Sequence, residues 1–206
     1  MKRTGLIALL ALVAAPAQAD INPGLLEYYK GKLDATQSEP GAQSEDGDVQ
    51  GVAAVLPIGR TSFVRADWRK EEYGFEFDWG ASADSHREIQ SLTIGLVDMM
   101  NREVRFIGEI GAVRMERGFI GFGVDDVATA NSPLFRLGVA ADDGNFSWSL
   151  TGEWLTKALQ PDLSRDNERW WNFFFGYTIA GRVTVGVTYA DYEDYKQTGA
   201  GVRFRF

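Results

Sequence analysis

Gly199-Ala200-Gly201-Val202-Arg203-Phe204-Arg205-Phe206 alternates without a break. Ala200, Val202, Phe204 and Phe206 fall on one face, and Gly199, Gly201, Arg203 and Arg205 fall on the other. Successive side chains of a β-strand point to opposite sides, so this is a strand with one apolar and one polar face. The same period recurs upstream. Val183, Val185, Val187 and Tyr189 alternate with Thr184, Gly186 and Thr188. Trp171, Phe173, Phe175, Tyr177 and Ile179 alternate with Asn172, Phe174, Gly176 and Thr178. Phe146, Trp148, Leu150 and Trp154 alternate with Ser147, Ser149, Thr151 and Glu153.

Farther from the end the pattern weakens but persists. Phe135, Leu137, Val139 and Ala141 oppose Arg136, Gly138 and Ala140, and Val104, Phe106 and Ile110 oppose Arg105 and Glu109. Leu92, Ile94 and Leu96 oppose Ser91, Thr93 and Gly95, and Val64, Ala66 and Trp68 oppose Arg65, Asp67 and Arg69. Val52, Ala54 and Leu56 oppose Gly51, Ala53 and Val55. In the first strand, 25–36, Tyr29, Leu33 and Ala35 oppose Lys30, Lys32, Asp34 and Thr36.

The connections fall into two kinds. Pro57-Ile58-Gly59-Arg60, Asn101-Arg102, Asp142-Asp143-Gly144-Asn145 and Ala180-Gly181-Arg182 are tight, with Gly and Asn supplying the backbone freedom a short turn needs. Stretches 37–47, 70–87, 116–132, 158–169 and 190–197 are longer and polar. The two kinds alternate, which predicts an all-β, closed up-and-down antiparallel barrel of about ten strands. Eight remain possible if 25–36 is mispaired. Twelve would follow if Glu72-Tyr73-Gly74 with Phe75, Phe77 and Trp79, and Phe119 to Gly123, began strands of their own.

The opening residues predict export. Met1-Lys2-Arg3 is a positive start, Leu6 to Ala15 is an apolar run short for a membrane span, and Ala17-Gln18-Ala19 is a cleavage pattern. Residues 1–19 are therefore expected to be a cleaved signal peptide and 20–206 a single barrel domain. Without Lys2 and Arg3 the chain has 19 basic and 29 acidic residues, a poor composition for neutralising nucleic-acid phosphates. There is no cysteine, so stability rests on hydrogen bonding and packing rather than disulfides.

A water-soluble sheet also alternates, but three features favour a membrane. Alternation covers almost every strand. Trp68, Trp79, Trp154, Trp170, Trp171, Tyr177 and Tyr189 lie near strand ends, where interfacial aromatics are expected. The chain also closes on an aromatic alternating strand. That strand resembles the C-terminal insertion signal of outer-membrane barrels, which implies Val202, Phe204 and Phe206 as the signal. Over residues 20–206 the chain resembles the small Gram-negative barrels of the OmpA-transmembrane, OmpX and opacity types. Gly47-Asp48-Val49-Gln50-Gly51 through Leu56-Pro57-Ile58-Gly59 is similar to YfaZ-like proteins.

In lipid, charges belong inside a closed barrel, where they can pair. Lys30, Lys32, Asp34, Arg65, Asp67, Arg69, Arg105, Glu109, Arg136, Glu153, Arg203 and Arg205 are expected to form that interior network. Catalysis has little support. The single histidine, His86, lies in Ala83-Asp84-Ser85-His86-Arg87-Glu88, where neighbours on a strand cannot form a triad, though Ser91 or Glu88 remains a same-side partner. The acidic groups Glu45, Asp46 and Asp48, then Asp125 and Asp126, then Asp191, Glu193 and Asp194, match no defined Ca²⁺ loop. The expectation is a non-enzymatic monomer of the cell outer membrane, without cofactor or metal, in a structural or surface-interaction role. Its partners would be outer-membrane lipid, lipopolysaccharide and the barrel assembly machinery, with no nucleic acid. The alternatives are a narrow porin-like channel and a barrel hydrolase acting on lipid through His86.

Overall fold

The computed structural model describes residues 24–35, 42–44, 46–101, 103–121, 124–155, 169–179, 181–192 and 195–206. The proposed signal peptide, most of 37–47 and nearly all of 158–169 lie outside the described residues. Eleven strands form one sheet: β1 Leu25–Ala35, β2 Ala42–Ser44, β3 Gly47–Pro57, β4 Ser62–Phe77, β5 Ser82–Met99, β6 Val104–Gly121, β7 Val124–Asp142, β8 Phe146–Leu155, β9 Arg169–Ile179, β10 Val183–Asp191 and β11 Tyr195–Arg205. Every pairing is antiparallel, and β1 bonds to both β3 and β11, which closes the barrel. The three-residue β2 only extends the β3 side of β4, so the wall has ten strands, as the alternation predicts.

The register fixes the barrel's dimensions. From Tyr29, cross-strand partners run through Gly201, Gly186 and Gly176 to Ser147. Eight residues farther along β8, Leu155 leads through Leu134, Gly111, Thr93, Arg65 and Val55 back to β1 at Leu25, four residues below the start. The shear is therefore twelve. With a rise of about 3.4 Å per residue and about 4.8 Å between strands, the strands tilt by about 40° around a backbone radius of about 10 Å. Each residue along a strand climbs about 2.6 Å, and each step around the wall shifts the level by about 1.2 residues.

The short turns gather at one end. Asn101 Oδ1 accepts the amides of Glu103 and Val104 at 2.9 and 2.8 Å. Asp143 Oδ1 accepts those of Asn145 and Phe146 at 3.0 and 2.6 Å. Gly144 and Gly181 take φ of 89° and 72°, a conformation side-chain-bearing residues rarely adopt. At this end the turns match the four tight connections.

The other end differs from expectation. Stretches 70–87 and 116–132 are mostly strand, with β4 and β5 joined by a turn at 78–81. Phe75 and Phe77 continue β4, and Phe119 continues β6, so neither begins a new strand. The sheet here rises above its apolar belt. The outer face then meets water while the buried inner face carries polar Glu71, Ser85 and Arg87, so the polarity contrast that marks a strand disappears.

Outward residues form that belt. By the register, Met100 and Ile179 mark its lower edge, and Trp68, Trp154, Trp171 and Tyr189 its upper edge. The climb between them is about nine residues, roughly 23 Å, close to the ~25 Å apolar band of a membrane barrel. Leu92, Ile94, Leu96, Leu137, Phe173 and Val187 lie within it, all exposed. Val202, Phe204 and Phe206 are exposed on the same surface, with Phe206 donating its amide to the Gly24 carbonyl.

Candidate functional site

The inner wall carries the barrel's chemistry. Inward positions repeat every second residue, and ten strands bring them together in three storeys. The middle storey centres on Arg136, whose side chain is 4% exposed. It donates to Glu109 at 2.6 Å and to Glu153 at 3.0 Å, and lies 3.4 Å from Asp67. Each carboxylate has a second partner. Arg65 and Ser91 donate to Asp67 at 2.7 and 2.8 Å, Thr93 to Glu109 at 2.6 Å, and Asn172 to Glu153 at 2.9 Å. Beside them Arg203 donates to Glu27 at 3.1 Å and to Ser149 at 2.9 Å. Its guanidinium carbon lies 3.6 Å from the centroid of the Phe174 ring.

The storey nearer the rim is aromatic. Arg69 lies between Trp170 and Tyr192, 4.6 and 4.8 Å from the two ring centroids, and donates to the Tyr192 hydroxyl. Tyr192 donates onward to Gln197 at 3.0 Å. Glu71 is fully buried and ion-paired with Arg69 at 2.9 Å and Arg87 at 2.7 Å. Ile89, Val113, Met115, Leu134 and Leu155 pack around Trp170 and Tyr192. At the turn end, Asp142 pairs with both Arg105 and Arg205, and Val55, Phe63 and Val97 pack between that pair and the middle storey. The lumen retains cavities of about 180 Å³ and about 90 Å³ beside these layers.

The cations of these storeys are all arginines. A guanidinium's planar donor fork can serve two or three carboxylates, whereas an ammonium acts as a point charge. Arg136 does this with Glu109, Glu153 and Asp67.

Nine of the expected interior charges point inward: Arg65, Asp67, Arg69, Arg105, Glu109, Arg136, Glu153, Arg203 and Arg205. Lys30, Lys32 and Asp34 do not. They are exposed on the outer wall, and Lys32 pairs there with Asp48 at 2.9 Å. The inner face of β1 is instead Leu25, Glu27, Tyr29, Gly31 and Leu33, matching the buried or half-buried positions. The inversion has a physical cause. Only Leu26 and Tyr28 of the outer face lie within the apolar belt, and the three charges sit at or above its upper edge. Glu27, Glu71, Arg87 and Asp142 were missing from the expected network. Glu27 was hidden by the inverted phase, Glu71 and Arg87 by assignment to a loop, and Asp142 by assignment to a turn. Trp170 is a further correction: it is 3% exposed and points inward, not toward an interface.

His86 lies within β5 rather than a loop, on the outer wall, with its ring over Gly118. Ser85 points inward and donates to the Gly118 carbonyl at 3.2 Å, and Ser91 also points inward. Neither serine shares the face of His86. Glu88 does, and accepts from Trp68 and Gln90 at 2.8 and 2.9 Å. Of the acidic groups, Glu45, Glu193 and Asp194 lie outside the described residues. Among the described residues no group of three or more His, Cys, Asp or Glu is placed to hold a metal ion.

No protein-family model matches the chain, and no curated protein matches it. Solved structures do. The transport unit of the autotransporter AIDA-I from Escherichia coli superposes with a TM-score of 0.57 at 7% identity, covering 94% of this chain and 92% of that one. The outer membrane protein OprG from Pseudomonas aeruginosa gives 0.48 at 9% identity, covering 91% and 97%. Ail, the attachment invasion locus protein of Yersinia pestis, gives 0.46 at 15%, covering 89% and 97%. At such identities the likeness is one of fold. Closure, shear and an encircling apolar belt make this chain a small up-and-down β-barrel with the outer surface of a transmembrane barrel.

Proposed function

We propose that this protein is a monomeric, non-enzymatic barrel of the Gram-negative outer membrane, with a structural or surface-interaction role in the envelope. Export by residues 1–19, insertion by the assembly machinery through Val202, Phe204 and Phe206, and lipid and lipopolysaccharide as surroundings belong to this reading. In it the short turns face the periplasm and the tall β4–β7 wall projects outward. One observation carries the functional part: the lumen is filled. Arginine–carboxylate pairs occupy its middle, and Arg69, Trp170 and Tyr192 stack across its outer end. A barrel of about 10 Å backbone radius has little room beyond such side chains. The placement of His86 apart from Ser85 and Ser91 supports a role without hydrolysis.

The second reading is a narrow channel, favoured by the residual cavities of about 180 and 90 Å³. Reconstitution into planar lipid bilayers separates the two. The filled-lumen reading expects no steady conductance in 1 M KCl. A stable ohmic conductance from most inserted molecules would replace it with the channel.

A further inference from the structure

The outward-facing charges of the upper wall are sorted by height. Reckoned through the register from Tyr28, Lys32, Lys70, Arg114, Arg169 and Lys196 all stand about four to five residues higher, although they come from five different strands. Lys30 stands two residues above Tyr28, level with Trp68 and Trp171. The apolar belt is centred about two residues below Tyr28, so the cations lie roughly 17 Å above its middle. An apolar band of ~25 Å ends about 12 Å from its middle, which leaves the cations some 5 Å beyond it, at the depth of headgroup phosphates.

Carboxylates come next. Three strands carry the order in their sequence, a cation followed two residues farther out by an acid: Lys32 and Asp34, Lys70 and Glu72, Arg114 and Glu116. Asp191, beside Lys196 in the register, is the exception. A merely solvated surface gives no reason for charges to sort by height. The ion pairs here are Lys32–Asp48 and Arg114–Glu116, both exposed, and Lys70–Glu72, whose lysine is half-buried; surface pairs of this kind are weak enough to yield to a stronger anion. Lys30 has Gln50 and Ala200 as its cross-strand neighbours, neither of them acidic.

We propose that Lys30, Lys32, Lys70, Arg114, Arg169 and Lys196 form a collar that binds the phosphates of a phosphorylated lipid in the outer leaflet. The proposal rests on the membrane-barrel reading and names the lipid chemistry it contacts. Acyl chains lie against Tyr28, Val187 and Phe173, the tryptophan girdle covers the glycerol or sugar level, and the cations meet the phosphate groups above. The outer acids keep the next layer of the surface from competing for the same anions.

The test uses the folded full-length barrel in phosphatidylcholine nanodiscs containing a small fraction of bisphosphorylated lipid A, or the same lipid with its phosphates removed. Lipid retained after detergent extraction is counted by native mass spectrometry. The wild type should retain the phosphorylated form about tenfold over the other, given several cations acting together near an anionic surface. The variant K30Q/K32Q/K196Q should lose most of that preference. If it folds poorly, R114Q/R169Q serves instead. Equal retention of both lipids by the wild type overturns the collar, as does an undiminished preference in a folded variant. A heat-dependent gel shift on the same samples keeps the two ideas apart. A shift without lipid preference removes the collar alone, and the absence of any shift removes the barrel reading with it.

Discussion

Replacing Arg136 by leucine tests the filled interior most severely. Arg136 is 4% exposed at its side chain, and its chief acceptor Glu109 is 2% exposed. Leucine removes the cation shared by Glu109, Glu153 and Asp67 while leaving all three carboxylates in place. Stranding one partner of a buried ion pair costs about 3–5 kcal/mol. Two features hold the loss toward the lower figure. Arg65 remains on Asp67, and the adjoining cavity of about 180 Å³ can admit water to the others. The expected destabilisation of Arg136→Leu is therefore about 3 kcal/mol. Urea unfolding of the barrel in phosphatidylcholine vesicles, followed by tryptophan emission and by gel mobility, measures it, with the slope m unchanged. Arg136→Leu with Glu109→Leu should lose less than the sum of the single variants, with a coupling of about 1–3 kcal/mol. A loss below about 1 kcal/mol, with additive effects, would refute the idea of a desolvated, mutually paired cluster.

Other consequences follow from particular contacts. Ile94→Arg places a charge on the outer wall near the middle of the belt and should cost about 2–4 kcal/mol in vesicles, whereas Asp98→Arg, near the lower interface, should cost under about 1 kcal/mol; equal effects would deny the belt. Trp170→Ala with Tyr192→Ala removes both rings from Arg69 and should give planar-bilayer openings that the wild type lacks; silent bilayers holding folded variant would show that other layers close the lumen. Gly95→Val drives a side chain into the Phe63 ring lying over Gly95 and should cost about 1–3 kcal/mol, read as a lower temperature for loss of the folded gel band; an unchanged temperature would show that Phe63 moves aside freely.

Much of this architecture was legible because lipid and water impose opposite demands on alternate residues. Where β9 crosses the belt, Trp171, Phe173, Phe175 and Tyr177 are outward and Asn172, Phe174 and Thr178 inward, as period two requires. The alternation loses that meaning where one of the two solvents changes. Above the belt the outer face of β1 meets water, so Lys30, Lys32 and Asp34 gave the same polar signal that marks the interior lower down. In β4 and β5 the continuation to Phe77 and back from Ser82 lost its contrast and looked like a loop, which concealed Glu71 and Arg87. Trp170 was misplaced for a different reason. An aromatic beside Trp171 passes for an interface residue, but its partner is the Arg69 guanidinium, a contact between strands far apart in sequence. Membership of the storeys was therefore readable strand by strand. Their pairings depend on register and shear, which link Arg136 to Glu109, Glu153 and Asp67 across four strands and are not written in any local pattern.

The central claim is a closed barrel inserted in the outer membrane, and its most direct measurement is an SDS gel of fractionated cells, run with and without boiling. The protein should appear in the outer-membrane fraction, and the unboiled band should migrate apart from the boiled one. A protein found only in the soluble periplasm, with one mobility under both conditions, would contradict the account.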